Sequence, residues 1–109
     1  MSVRVVFLQS AEQDIRELRS YLIRHFGKDL WQASYGKIRE SVETLKAFPV
    51  CGTLPAELES LHLTQYRQLV SGLNRIIYEL RQDILYIHVI CDTRRDMGAL
   101  LTRRLLRAP

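Results

Sequence analysis

Between residues 64 and 109 every lysine-or-arginine position is an arginine: Arg67, Arg75, Arg81, Arg94, Arg95, Arg103, Arg104 and Arg107. A guanidinium is a planar, permanently charged fork that grips a carboxylate or phosphate at two points, which an ammonium does not do. The same stretch holds four acids, Glu79, Asp83, Asp92 and Asp96, and so carries +4. Residues 10–63 carry seven Lys/Arg against eight Asp/Glu, and residues 1–9 carry Arg4 alone. The +4 net charge of the chain therefore belongs to its C-terminal part. An acidic partner protein or a nucleic acid is what such a surface recognises. A solvated helix face has the same composition.

Arg94 and Arg95 follow a strand-like run and precede a helical one. If the preceding strands pair antiparallel, they approach Arg75. Arginines gathered at a helix start bind phosphate or carboxylate well. Metal-free RNA cleavage would also need a side chain that moves protons. The sequence places no Lys, His or Tyr beside these arginines, so a surface that binds without cutting is expected.

Other chemistries find no motif. His25, His62 and His88 have no Cys or carboxylate at metal-ligand spacing, so no metal site and no cofactor are expected. His88, inside a strand-like run, is expected to be a core histidine with a satisfied hydrogen bond. The five glycines form neither a P-loop nor a dinucleotide fingerprint. There is no G-x-S-x-G, and Cys51 and Cys91, 40 positions apart, are expected to be free thiols in a cytosolic protein. No apolar run approaches the roughly 20 residues that cross a bilayer, so no membrane partner is expected.

The elements that must position these groups follow from periodicity. The length, 109 residues, suits one domain spanning 1–109. Val3–Leu8 reads as a strand, apolar enough to be covered on both faces. Ser10 with Gln13 has capping-box spacing, and Ile15, Leu18, Leu22 and Phe26 make the apolar face of a helix that Gly27 stops. Asp29 with Gln32 repeats the cap. Trp31, Tyr35, Ile38, Val42 and Leu45 form a heptad-like stripe that Pro49 ends, so two helices should lie antiparallel as a hairpin. The first two residues of that stripe serve either the core or a partner. Residues 49–65 read as a connection with one helical turn at Glu57–Leu61. Tyr66–Val70, Asn74–Leu80 and Ile84–Ile90 are strands joined by short turns, the last apolar on both faces and hence central. Thr93-Arg94-Arg95-Asp96 is cap-spaced before a last helix running to about Leu106, with Met97, Leu100, Leu101 and Leu105 on its apolar face. The order β-α-α-β-β-β-α predicts an α+β fold: a small antiparallel-rich sheet against an N-terminal helical hairpin, with a C-terminal helix.

In this order, several short motifs resemble the RelE/ParE superfamily of bacterial type II toxins. They are Val5-Val6-Phe7-Leu8-Gln9-Ser10-Ala11-Glu12-Gln13-Asp14-Ile15, Pro49 with Gly52, Tyr66-Arg67, Asn74-Arg75-Ile76-Ile77-Tyr78-Glu79, and Ile84-Leu85-Tyr86-Ile87-His88-Val89-Ile90 before Arg94-Arg95-Asp96. The resemblance implies one of two activities. RelE-like members are ribosome-dependent mRNA endonucleases with a basic strand, an arginine at the sheet-to-helix turn and a Tyr or His near the last helix. ParE-like members have a long helical hairpin, lack that full set and poison DNA gyrase. Arg75 fits the strand arginine and Arg94 or Arg95 the turn arginine. Gln68 stands in the basic strand, however, and Met97-Gly98-Ala99-Leu100-Leu101 has no aromatic. The resemblance therefore implies a gyrase inhibitor with no catalytic residue, the mRNA endonuclease being the alternative. It also implies a ParD-like antitoxin that wraps the toxin with an acidic segment folding on binding. On this reading Arg75, Arg94, Arg95, Arg103 and Arg104 contact gyrase, or DNA through the gyrase complex. Trp31, Tyr35, Arg67, Leu101 and Leu105 contact the antitoxin.

Overall fold

The computed structural model describes residues 3–93 and 97–105, with the side chains of Met97, Gly98 and Leu101 outside the description. Strand β1 (Arg4–Phe7) leads into helices α1 (Gln9–Phe26) and α2 (Lys28–Ala47). A one-turn helix, α3 (Ala56–Glu59), precedes strands β2 (Tyr66–Ser71), β3 (Asn74–Arg81) and β4 (Ile84–Asp92), and α4 (Met97–Leu105) closes the chain. The four strands form one sheet in the order β1-β4-β3-β2. β1 runs parallel to β4, whereas β3 is antiparallel to both β2 and β4. No described helix is long and apolar enough to cross a membrane.

Two apolar layers flank the sheet. The α1/α2 hairpin covers one face, where Ala11, Ile38, Val42 and Leu45 meet Ile76, Tyr78, Leu85 and Ile87. α3 and α4 cover part of the other face, where Leu58 and Leu100 meet Tyr66, Ile77, Val89 and Cys91. The strand alternation of β3 assigns the faces: Ile76 and Tyr78 point to the hairpin, Ile77 to α4.

β4 is central, flanked by β1 and β3 as its two-sided apolar character requires. Its alternation breaks once. Ile77 pairs with Val89 but Tyr78 pairs with Ile87, so His88 is the extra residue of a β-bulge. The bulge turns His88 to the same face as Val89.

Three sequence expectations are corrected. β1 is an edge strand and not a doubly covered one. Val5 and Phe7 pack on the hairpin core and the whole strand is at most half-buried. Neither capping box forms. α1 begins at Gln9 with Leu8 as N-cap and α2 follows Gly27, both without a side-chain cap. Ser10 instead turns its hydroxyl to the His88 carbonyl, and Gln13 bonds Arg16 and Glu17. Gly27 has φ of +94°, the left-handed region that glycine tolerates, and this allows α1 to stop and α2 to start with one residue between them.

Candidate functional site

The apolar stripe of α2 is buried at Ile38, Val42 and Leu45, but its first members are not. There Trp31 and Tyr35 stack on each other with ring centroids 5.2 Å apart, Trp31 half-buried and Tyr35 exposed. Near the turn Tyr21, Phe26 and Leu30 are exposed as well. The antitoxin expectation for Trp31 and Tyr35 thus falls on one half-buried and one exposed ring.

Among the described residues, Arg75 and Arg104 do not share one site: they are held by separate acids, Glu57 and Asp14. The register does bring the start of β3 beside the end of β4, with Arg75 opposite Cys91. The Arg75 guanidinium, however, turns under α3. Its two terminal nitrogens donate to the Glu57 carboxylate at 3.1 Å each, and Nε donates to Gln68 Oε1 at 2.6 Å. Arg75 is 9% exposed. This fork is already filled by the Glu57 carboxylate. The bond from Arg75 is the chief reason that the Glu57 carboxyl is held below its ordinary value of 4.5.

Arg104 is likewise internal. β1 ends at Phe7, so β4 beyond Ile87 has no strand on its outer side. Side chains serve that edge instead. The Ile90 N–H donates to Asp14 Oδ2 at 3.0 Å, and Arg104 donates to the His88 carbonyl at 3.0 Å and to both Asp14 oxygens at 3.0 and 3.1 Å. Asp14 belongs to α1 and Arg104 to α4, so one ion pair ties both helical layers to the sheet. The side chains are 12% and 19% exposed.

Arg67 lies on β2 and donates to the Gly52 and Val50 carbonyls at 2.9 and 3.3 Å, pinning the loop after α2. The same loop is held from below. Tyr78 O–H donates to the Pro49 carbonyl at 2.9 Å, and the Gly52 N–H donates to Tyr78 Oη at 3.0 Å. Burial raises the Tyr78 phenol above its ordinary 10.0, so it remains a neutral donor. Arg103 is exposed on α4. Leu105 is half-buried and packs against the second apolar layer. Arg94, Arg95 and the Leu101 side chain lie outside the described residues.

Sequence reasoning missed a polar cluster on the second sheet face. Glu79, 6% exposed, accepts from Arg81 Nε at 2.9 Å and stands 3.0 Å from His88 Nε2. Tyr66 meets the His88 ring edge to face at 5.0 Å. His88 thus has the hydrogen-bonded core placement expected of it. Burial is the chief cause lowering its pKa below 6.5, and the Glu79 bond opposes that. The neutral ring with its proton on Nε2 donates to Glu79. Burial, then the Glu79 charge, raises the Tyr66 phenol above 10.0.

These shifts fix a pH dependence. For His88 and Glu57 the folded value lies below the unfolded one, so between the two values the unfolded chain binds more protons and stability rises with pH. The His88 contribution is complete above 6.5 and is lost as the pH falls through its folded value. That of Glu57 is lost further down, below 4.5. Urea midpoints measured across this range should fall in two steps on acidification. His88→Gln should remove the upper step and leave the lower one.

The family described as the ParE toxin of the type II toxin-antitoxin system, parDE, matches residues 5–97. No curated protein matches the sequence. Among solved structures, a chromosomal ParDE toxin-antitoxin system from P. aeruginosa is similar, with a TM-score of 0.69 and 14% identity, covering 84% of this chain and 96% of that one. The RelBE2 toxin-antitoxin complex from Mycobacterium tuberculosis is similar with a TM-score of 0.59 and 16% identity, covering 84% of this chain and 99% of that one. At these identities the structures speak for the fold, in which a helical hairpin lies on a four-stranded mixed sheet. With that fold, and with nearly all of its length matched by the family, this chain belongs to the ParE toxins of type II toxin-antitoxin systems.

Proposed function

We propose that the chain is a toxin that inhibits DNA gyrase, and so DNA replication, and that a ParD-like antitoxin neutralises it. The observation that carries this reading is the fate of Arg75. A ribonuclease on this scaffold would need its strand arginine open to a phosphate, and here that arginine is closed onto Glu57 and Gln68 beneath α3. The long hairpin, α1 of 18 residues and α2 of 20, fits the same reading. The similar structures are toxin-antitoxin assemblies, which supports an antitoxin partner. Action in the cytoplasm follows from a gyrase target.

Arg94, Arg95 and Arg103 are the proposed target contacts. Arg75 and Arg104 drop out because their guanidinium groups are already bound internally. Charge reversal at the three remaining positions should abolish inhibition while the thermal midpoint and circular dichroism stay those of the parent.

One observation favours the second reading, an mRNA endonuclease: Tyr66, His88 and Glu79 are proton-carrying groups on one sheet face. Their enclosure weighs against it, since the His88 side chain is 17% exposed and Tyr66 7%. The test is a gyrase supercoiling assay run beside an in vitro translation assay, both with purified protein. Loss of supercoiling with intact message is the expected result. Cleaved message on translating ribosomes, with supercoiling unimpaired, would overturn the proposal.

A further inference from the structure

Small-molecule sites are mostly apolar clefts of about 300–1,000 Å³ in which a few placed polar groups fix the ligand's orientation. A cavity of about 990 Å³, lined by residues of the hairpin and of the strand ends, has that size and that make-up. Its apolar lining is Leu18, Tyr21, Leu22 and Phe26 from α1, Leu30 from α2 and Leu73 from the β2–β3 turn. From Asp14 to Phe26 the α1 wall is about 18 Å long at the helical rise per residue.

The side formed by the β2–β3 turn is polar. Ser71 lines the cavity at 4% exposure, and among the described residues its Oγ is enclosed without a hydrogen-bond partner. Nearly all such buried groups in folded proteins are paired. Asn74, at the other end of the same turn, lines the cavity at 7% exposure. The exposed Lys37 also lines it and lies over the turn, its Cδ 3.3 Å and its Nζ 3.8 Å from where a Cβ on Gly72 would stand. The ion pairs of the described residues engage Glu43, Glu57, Glu79 and Asp14, none of them with Lys37. Three acids line the cavity as well. Asp14 is held by Arg104, Asp92 has a partner, and Glu17 accepts from Gln13 on α1.

We propose that this cavity binds a linear amphiphile, a medium-chain carboxylate, with its alkyl chain along the α1 wall and its head on Lys37, Ser71 and Asn74. A carboxylate has acceptor sites enough for an ammonium, a hydroxyl and an amide together. A wholly apolar ligand would leave the Ser71 hydroxyl enclosed and unsatisfied. A cationic head would meet Lys37 with like charge. A small acid without a chain would leave the leucines and aromatic rings of the walls in water. This binding activity goes beyond the toxin function proposed above and depends on neither its gyrase part nor its antitoxin part.

The test is isothermal titration of the purified chain with hexanoate, octanoate and decanoate, all below the concentrations at which they form micelles. Affinity should rise about threefold to fourfold for each methylene that the cavity encloses. Decanol and decylamine, which keep the chain and change the head, should bind at least about tenfold more weakly than decanoate. Lys37→Glu should weaken decanoate at least about tenfold and pass the preference to decylamine. Leu30→Glu should weaken all three ten-carbon ligands. Both positions are exposed, so these variants should melt as the parent does. Ser71→Ala should weaken decanoate by about threefold to tenfold without lowering the melting temperature, because it removes an unsatisfied hydroxyl. Failure of decanoate to bind, affinity independent of chain length, equal affinity for decanol, or decanoate binding untouched by Lys37→Glu would each overturn the inference. Phosphatidylglycerol vesicles separate a free acid from a lipid surface: sedimentation of the chain with them, without binding of decanoate, would overturn it too. Supercoiling inhibition is measured with no acid present, so its outcome is separate from this one.

Discussion

Arg104→Ala is expected to lower folding stability by about 3 kcal/mol, because it leaves the Asp14 carboxylate largely buried without its charge partner. The native pair is bidentate, and among the described residues the remaining bond to Asp14 comes from the Ile90 N–H. Asp14→Ala should cost a similar amount, since it orphans that N–H and leaves the guanidinium, still bonded to the His88 carbonyl, without a charge partner. Asp14→Asn keeps an acceptor for Ile90 and loses the charge, so it should fall between the parent and the alanine. A double-mutant cycle read by urea denaturation would give a coupling energy well above that of a surface pair. Hydrogen exchange should then place the damage. Among the described side chains, α4 adds Leu100 and Leu105 to the second apolar layer, and its amides should exchange faster in Arg104→Ala than those of β3. A loss within about 0.5 kcal/mol, the range of an ordinary surface substitution, would show that the clamp does not hold the layers.

Gly52→Ala should be comparably damaging, at roughly 2–4 kcal/mol, through overpacking and not through backbone conformation. A Cβ there would collide with Tyr78 Oη and lie 2.6 Å from the backbone carbonyl of Gln68. The carbonyl is fixed by the antiparallel bridge between Thr53 and Gln68, and the Tyr78 ring is fully buried. Relief therefore means moving a core aromatic or breaking that bridge. Tyr78→Phe isolates the polar part of this effect. It removes the bond to the Pro49 carbonyl and orphans the Gly52 N–H, which should cost about 1–3 kcal/mol. Equal urea midpoints for Gly52→Ala and the parent would mean that the loop swings away from the sheet at little cost.

Much of this was legible in the residue pattern. The stripe Ile38, Val42 and Leu45 buried as its spacing requires, and the two-sided apolar run of β4 placed it centrally. What was not legible arises from long-range competition. Ser10 had the spacing of a capping box, but the unpaired β4 edge supplied its hydroxyl with an acceptor 78 residues away. Arg75 was visible as a basic strand residue; that Glu57 would meet it depended on how α3 folds over the sheet. Arg104 was assigned to a target for the same reason, since the exposure of a helical arginine depends on what lies beneath. One signal was available and unused. Asp14 falls three residues after Ala11 and four before Leu18, inside the buried stripe of α1. An acid at such a position calls for a buried partner.

The short first strand has a consequence for how the free chain behaves in solution. An unsatisfied row of amides along a central strand would template pairing with another molecule and invite aggregation. Here a hydroxyl, a carboxylate and a guanidinium occupy that row, and no foreign backbone can dock on it without first displacing charged groups. Removing the acid of this trio should therefore shorten the shelf life of a concentrated sample before it affects any assay of function.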